Sequence, residues 1–282
     1  MLDRYTSPTE GTTEREVLFN DALGIQNDDT EKAKELYSRS AEMGYTGSMV
    51  NLGVMMIDGD EEEKTYAIEL FKKAAESGDN SGMRNMGYVN AIGLGTPLNK
   101  PEGVRWYRMA AEAGNVKAQC NLGVMLRYGN GTPQDFDEAF KWYTRSAESG
   151  YFRAQATLAL MYMNGEGVEK DLSKAYYWYG KAAENGSSRG MYNLALMYLN
   201  GTGVDKDKEK AIELLSAAVG KGYSKAMFVL GDIMIDEGNE DEGIGLFNSG
   251  AAKGEQRCVE ELAKRSLPIP EYTGRMKNRK KK

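Results

Sequence analysis

The 282-residue chain contains no histidine. That removes the commonest general base, the usual nitrogen ligand of zinc and any imidazole-based pH switch. A serine triad built on histidine is excluded with it. Only two cysteines occur, Cys120 and Cys258. They are too far apart for a Cys-x-x-Cys site and suit the interior, where free cysteine packs as a small apolar residue. Aspartate and glutamate abound, but they fall mostly on the polar side of helical patterns, where a solvated role is the default. The sequence therefore predicts a non-enzyme with no cofactor and no metal site.

Four glycine pairs, Gly93 with Gly95, Gly129 with Gly131, Gly165 with Gly167 and Gly201 with Gly203, imitate phosphate loops. None is followed by the Gly-Lys-Ser/Thr of a P-loop, and none lies between a strand and a helix. They read as turn glycines at positive φ. Asp135, Asp171 and Asp207 stand four residues before Ala139, Ala175 and Ala211, the fixed offset of an N-cap. A ligating acid would need partners converging on it, whereas stacked repeats hold equivalent positions about 10 Å apart. Trp106, Trp142 and Trp178, each followed by Tyr107, Tyr143 or Tyr179, resemble a base-stacking or carbohydrate platform. Their phase with the alanines of the packed stripe places them in the core between repeats instead.

Two polar rows recur in phase. Asn51, Asn85, Asn121 and Asn193 form the first. An amide offers both donor and acceptor, which fits either gripping the backbone of an extended peptide or bonding a neighbouring helix to fix stacking. Lys117, Arg153, Arg189 and Lys225 form the second, with Arg84 beside Asn85 extending it. These cations read either as a stripe complementary to an acidic peptide or chain-end carboxylate, or as solubilising charge at helix starts.

The elements that position these rows follow from one stretch, YFRAQATLALMYMNGEGVEKDLSKAYYWYGKAAENG at 151–186. Ala154, Leu158, Met161 and Tyr162 recur at helical spacing, and Ala175, Trp178, Tyr179, Ala182 and Ala183 form a second apolar stripe after the glycine turn. Gly186 then stops the helix. The same terminal glycine returns as Gly44, Gly78, Gly114, Gly150, Gly186, Gly222 and Gly254, at intervals of 34, 36, 36, 36, 36 and 32 residues. A period in this range marks a solenoid whose hairpins bury their stripes only by stacking.

The expected organisation is a flexible leader at 1–13, hairpins at 14–44, 45–78, 79–114, 115–150, 151–186, 187–222 and 223–254, a terminal helix at 255–267, and a basic disordered tail at 268–282. Thr30 is read as the N-cap of the second helix and Asn99 as that of the sixth, with Pro101 in its first turn. No run approaches the roughly 20 apolar residues needed to span a bilayer, and MLDRYTSPTEGTTERE lacks the pattern of a secretory signal, so a cytoplasmic location is expected. The formal charge is −6, yet RMKNRKKK at the end carries six basic groups and no acid, leaving 30 basic against 42 acidic residues before it. That asymmetry gives the tail an alternative role in touching nucleic acid or an anionic membrane surface.

The string LMYMNGEGVEKDLSKAYYWYGKAAENG, recurring as NLGVMLRYGNGTPQDFDEAFKWYTRSAESG and NLALMYLNGTGVDKDKEKAIELLSAAVGKG, resembles the Sel-1-like repeat, a relative of the tetratricopeptide repeat with a longer glycine-bearing turn. The resemblance covers about three quarters of the chain. It implies an all-α, right-handed superhelical solenoid of antiparallel helix-turn-helix units whose concave face, lined by the first helix of each hairpin, binds another protein. On that implication the chain is an adaptor or scaffold. Its partner-binding residues would be Asn51, Arg84, Asn85, Lys117, Asn121, Arg153, Arg189, Asn193 and Lys225, meeting an acidic protein or extended peptide. Some secreted members pair two cysteines within each repeat, a pattern this chain lacks.

Overall fold

The structure is a computed structural model that describes residues 13–273. Among them are fifteen α-helices and no strand. The chain divides into two compact units, one ending at Ser146 and one beginning at Ala147.

In the first unit the helices are α1 (Glu14–Ile25), α2 (Thr30–Glu42), α3 (Thr46–Met56), α4 (Glu61–Glu76), α5 (Asn80–Ile92), α6 (Lys100–Glu112), α7 (Val116–Tyr128) and α8 (Phe136–Glu148), whose last residues enter the second unit. The second unit continues with α9 (Phe152–Asn164), α10 (Leu172–Glu184), α11 (Ser188–Asn200), α12 (Lys208–Gly220), α13 (Ser224–Asp236), α14 (Glu240–Ala252) and α15 (Gln256–Lys264). They form seven antiparallel hairpins and a terminal helix, the helical-repeat solenoid that the glycine period implies.

Each helix boundary has a local cause. The seven terminal glycines take φ between 78° and 88°, and the eight glycines of the paired turns between 64° and 78°. These left-handed values cost a residue with no Cβ little and any other residue more. Asp135, Asp171 and Asp207 each accept from a backbone N–H three residues on, at 2.8–2.9 Å. Asn99 caps α6 in the same way, with Pro101 in the first turn. Before α2 the cap is Asp29, which accepts from the Lys32 N–H at 3.0 Å. Thr30, the residue expected there, is the first helical residue, because the carboxylate one position earlier already reaches the free amide.

Small residues let successive hairpins approach. Ser40 and Ser48 are fully buried and hydrogen-bonded to each other at 2.7 Å. A Cβ at Gly82 would lie 2.8 Å from that of Ala74, and one at Gly190 would lie 2.7 Å from that of Ala182. In the last step of the ladder the two partners are Gly250 and Cys258. The missing side chain of Gly250 leaves room for the Cys258 sulfur, and burial pushes the thiol up to about 12. In the first unit one core joins Ala22, Ala33, Tyr37, Leu52 and Leu70. The main core of the second joins Ala175, Tyr179, Leu194, Met197, Leu215 and Leu230.

Residues 268–273, expected to begin an unstructured tail, form no helix but are held to α14: the Thr273 N–H and hydroxyl both donate to the Ala252 carbonyl, at 2.7 and 2.9 Å. The basic run at 275–282 and the leader up to residue 12 lie outside the described residues.

Candidate protein-interaction surface

The first helix of each hairpin shows the same residue phases, and in the first unit these become a surface on α3, α5 and α7. Asn51 is half-buried, and its amide donates to the Tyr37 hydroxyl at 3.1 Å. That hydroxyl in turn donates to Gln26 Oε1, also at 3.1 Å. Asn121 bonds Tyr107 in the same manner. Asn85 departs from the pattern, because Phe71 stands where its tyrosine would be. The Asn85 side chain is 6% exposed and its Nδ2 has no hydrogen-bond partner, while its Oδ1 accepts from the Arg84 guanidinium at 2.7 Å.

One helical turn beyond the asparagines lies a row that is apolar and uncovered: Val54, Tyr88 and Val124 are 51%, 49% and 36% exposed. A further turn on, Ile92 and Tyr128 are 51% and 58% exposed. Between α5, α6 and α7, Tyr88, Ile92 and Val124 border a cavity of about 280 Å³. Tyr88, Ile92, Val124 and Met125 supply apolar lining, Tyr107 and Asn121 are polar members, and Lys100 is a cation among them. Burial pushes the Tyr107 phenol up to about 12, with Arg84 close enough to oppose the shift. Lys117, the second residue of α7, is exposed beside this face.

In the second unit Arg153, Arg189 and Lys225 occupy the same second position of α9, α11 and α13, and all three are exposed. The Arg153 guanidinium lies 5.9 Å from the Phe152 ring. Arg189 acts on Tyr223, whose ring is 5.3 Å from that of Tyr192. Asn193 is half-buried on α11. The basic register has a further member, Arg257, second in α15; its Nε donates to Glu255 at 2.8 Å and its guanidinium sits 4.4 Å from the Phe228 ring. Asp232 stands at the phase of Val124. Burial holds its carboxyl above the usual aspartate range, Asp236 and Glu261 add to the shift, and Arg265 and Lys264 oppose it.

The structure therefore brings Arg84 and Asn121 close to one phenol, with Asn85 bonded to Arg84, while Lys117 and Asn51 lie elsewhere in the same unit and Arg153, Arg189, Asn193 and Lys225 lie in the other. Sequence reasoning missed the exposed apolar row and Arg257. The signal for Arg257 was its place three residues after the terminal glycine Gly254, the offset of Lys117, Arg153, Arg189 and Lys225 from theirs, at the shortened last interval of 32 residues. The signal for the apolar row was that α5 and α7 carry large apolar residues on more of their circumference than one packed stripe needs.

Stacked helical hairpins that leave one face of their first helices uncovered define a helical-repeat protein. More narrowly, the Sel1 repeat profile matches residues 18–45, 47–79, 80–115, 116–151, 153–187 and 188–223, and the chain belongs to the Sel1 repeat family. Sel1 repeat proteins are generally non-catalytic scaffolds that mediate protein–protein interactions. Among solved structures, the Sel1 repeat protein from Oxalobacter formigenes is 26% identical, with a TM-score of 0.72 over 83% of this chain and 96% of its own. The protein c5321, a protective antigen present in uropathogenic Escherichia coli strains and displaying an SLR fold, is 28% identical, with a TM-score of 0.70 over 89% of this chain. This chain spans 56% of the length of c5321. The immunity protein Pa5087 from Pseudomonas aeruginosa, at 19% identity and a TM-score of 0.50 over 76% of this chain and 83% of its own, shares the fold. No curated protein matches the sequence. Among the described residues no helix is long and apolar enough to cross a membrane.

Proposed function

We propose that this chain is an adaptor that binds an acidic, extended segment of a partner protein along the exposed side of its first helices. The observation that carries the reading is the recurrence of one exposed cation at the second position of α7, α9, α11 and α13, namely Lys117, Arg153, Arg189 and Lys225. A cation near a helix N-terminus opposes the macrodipole, so helix stability does not account for four of them in one register. An acidic ligand does. Arg84 adds a cation on the same helix type, and Asn51, Asn85, Asn121 and Asn193 form the amide row beside it. The charged groups of this register are all donors, complementary to carboxylates and backbone carbonyls.

The test is affinity capture from native extract with mass spectrometry, comparing the intact protein with Lys117→Glu, Arg153→Glu, Arg189→Glu and Lys225→Glu combined, its helicity checked by circular dichroism. The expected result is one protein partner bound by the intact chain and lost, by tenfold or more, with the variant. Retention of the same partner by the variant overturns the basic register as the site. Capture of nucleic acid or anionic lipid, abolished by removing residues 275–282 and by salt, would favour the tail instead.

A further inference from the structure

The charged register accounts for attraction to an acidic segment but not for the uncovered apolar cluster in the first unit. Tyr88, Ile92, Val124 and Tyr128 together expose more large apolar surface than isolated surface residues do, and such a patch rimmed by polar groups marks a site that something covers. At about 280 Å³ the cavity that Tyr88, Ile92 and Val124 border falls just under the size of drug-sized ligand sites, so it suits one side chain rather than a whole molecule. Its chemistry is mixed in a particular way. Apolar walls come from α5 and α7. Tyr107 accepts a hydrogen bond from Asn121, yet among the described residues no acceptor takes its own proton as Gln26 takes that of Tyr37. Lys100 stands in the lining, and Arg84 lies near the phenol. The charged groups around the apolar walls are both cations, Lys100 and Arg84, with the Tyr107 hydroxyl beside them and the amides of Asn121 and Asn130 completing the rim.

We propose that this cavity is the anchor pocket for an apolar side chain, of leucine or aromatic type, embedded in the acidic segment of the partner. The apolar side chain enters between Tyr88, Ile92, Val124 and Met125, and carboxylates of flanking residues meet Lys100, the Tyr107 hydroxyl and Arg84. Two cations on different helices around one pocket, Lys100 and Arg84, fit a run of acidic side chains better than a single chain-end carboxylate. Interfaces commonly concentrate their energy in one such buried anchor with charges at its rim. The inference rests on the adaptor reading and gives that partner segment a specific residue.

The test uses the full chain labelled with 13C at its methionine methyls, the Met125 signal being assigned through Met125→Leu, and the probe acetyl-Glu-Glu-Leu-Glu-Glu-amide. The expected result is a shift of the Met125 methyl on titration. Binding should weaken at least tenfold when the probe leucine is replaced by serine, and the Met125 shift should be lost in Val124→Glu, an exposed position whose replacement leaves the helical fold intact by circular dichroism. If the leucine and serine probes bind alike, with both sensitive to Lys117→Glu, the anchor pocket falls while the charged register stands. If a glutamine-flanked leucine probe binds as well as the acidic one, the carboxylate part falls. A free C-terminal Gly-Ser-Leu probe that binds more tightly than the acidic one replaces the embedded segment with a chain end. No shift of Met125 with any probe at millimolar concentration overturns the proposal.

Discussion

Phe71 differs from Tyr37 and Tyr107, its equivalents in the flanking hairpins, by one hydroxyl, and that difference leaves the Asn85 Nδ2 buried without a partner. A buried unmet donor carries a desolvation penalty that a correctly placed acceptor removes. Phe71→Tyr is therefore expected to raise stability by about 1 kcal/mol, read as a higher denaturant midpoint at unchanged slope. The gain should vanish when Asn85→Ala is also present, as a double-mutant cycle would show. A destabilised Phe71→Tyr, or a gain that persists without Asn85, would remove this account. The asparagine row itself was legible in the sequence, because it recurs at the glycine period. Its tyrosine partners were not, since each lies fourteen positions upstream on a different helix, and only packing brings 37 to 51 and 107 to 121. For Asn51 and Asn121 that bond occupies amide donor capacity otherwise open to a ligand.

Helix glycines show how the elements within a hairpin are spaced, and they divide into two kinds with opposite expected effects. A Cβ at Gly53 in α3 would come within 2.6 Å of the Phe71 ring of α4, itself 2% exposed and unable to swing aside. Gly87 meets the Tyr107 ring at the same distance, and Gly231 meets Phe247 at 2.8 Å. These glycines let an aromatic ring of the second helix lie directly on the backbone of the first. A Cβ at Gly180 in α10 would meet nothing within 4 Å. In a helix interior alanine is favoured over glycine by about 1 kcal/mol, so Gly180→Ala is expected to stabilise by about that amount. Gly53→Ala is expected to destabilise by 1–3 kcal/mol, about the usual cost of overpacking a filled core. Thermal melts of the two variants moving in the same direction would contradict the division. Helix existence, the glycine stops and the aspartate caps could be read from the sequence because they are local. The exposed row of Val54, Tyr88 and Val124 could not, because an apolar residue on a helix looks the same whether a neighbour covers it or a partner does.

At the scale of the molecule, repeats hold only their neighbours, so stability is expected to be regional rather than global. The end of the second unit makes this testable. Leu262 on α15 is fully buried in a small cluster with Phe247, Ala251 and Cys258, against which Phe228, Ile235 and Leu267 pack. This cluster is distinct from the core that runs from α9 to α13, although α13 contributes to both. Leu262→Ala removes a large buried side chain at a cost of about 2–5 kcal/mol, more than a terminal helix of nine residues is expected to withstand on its own. Hydrogen exchange should then show amide protection lost from α15 and reduced in α14, with α9 and α10 at the other end of the unit unchanged. The two buried cysteines give an independent readout, since a thiol reacts through its thiolate and burial suppresses that form. In the wild-type chain Cys258 should resist an alkylating reagent at neutral pH, and in Leu262→Ala it should react while Cys120, buried on α7, remains protected. Equal exposure of both thiols, or a uniform loss of protection across α9 to α15, would mean that the chain unfolds as one cooperative block and that its repeats are not energetically separable.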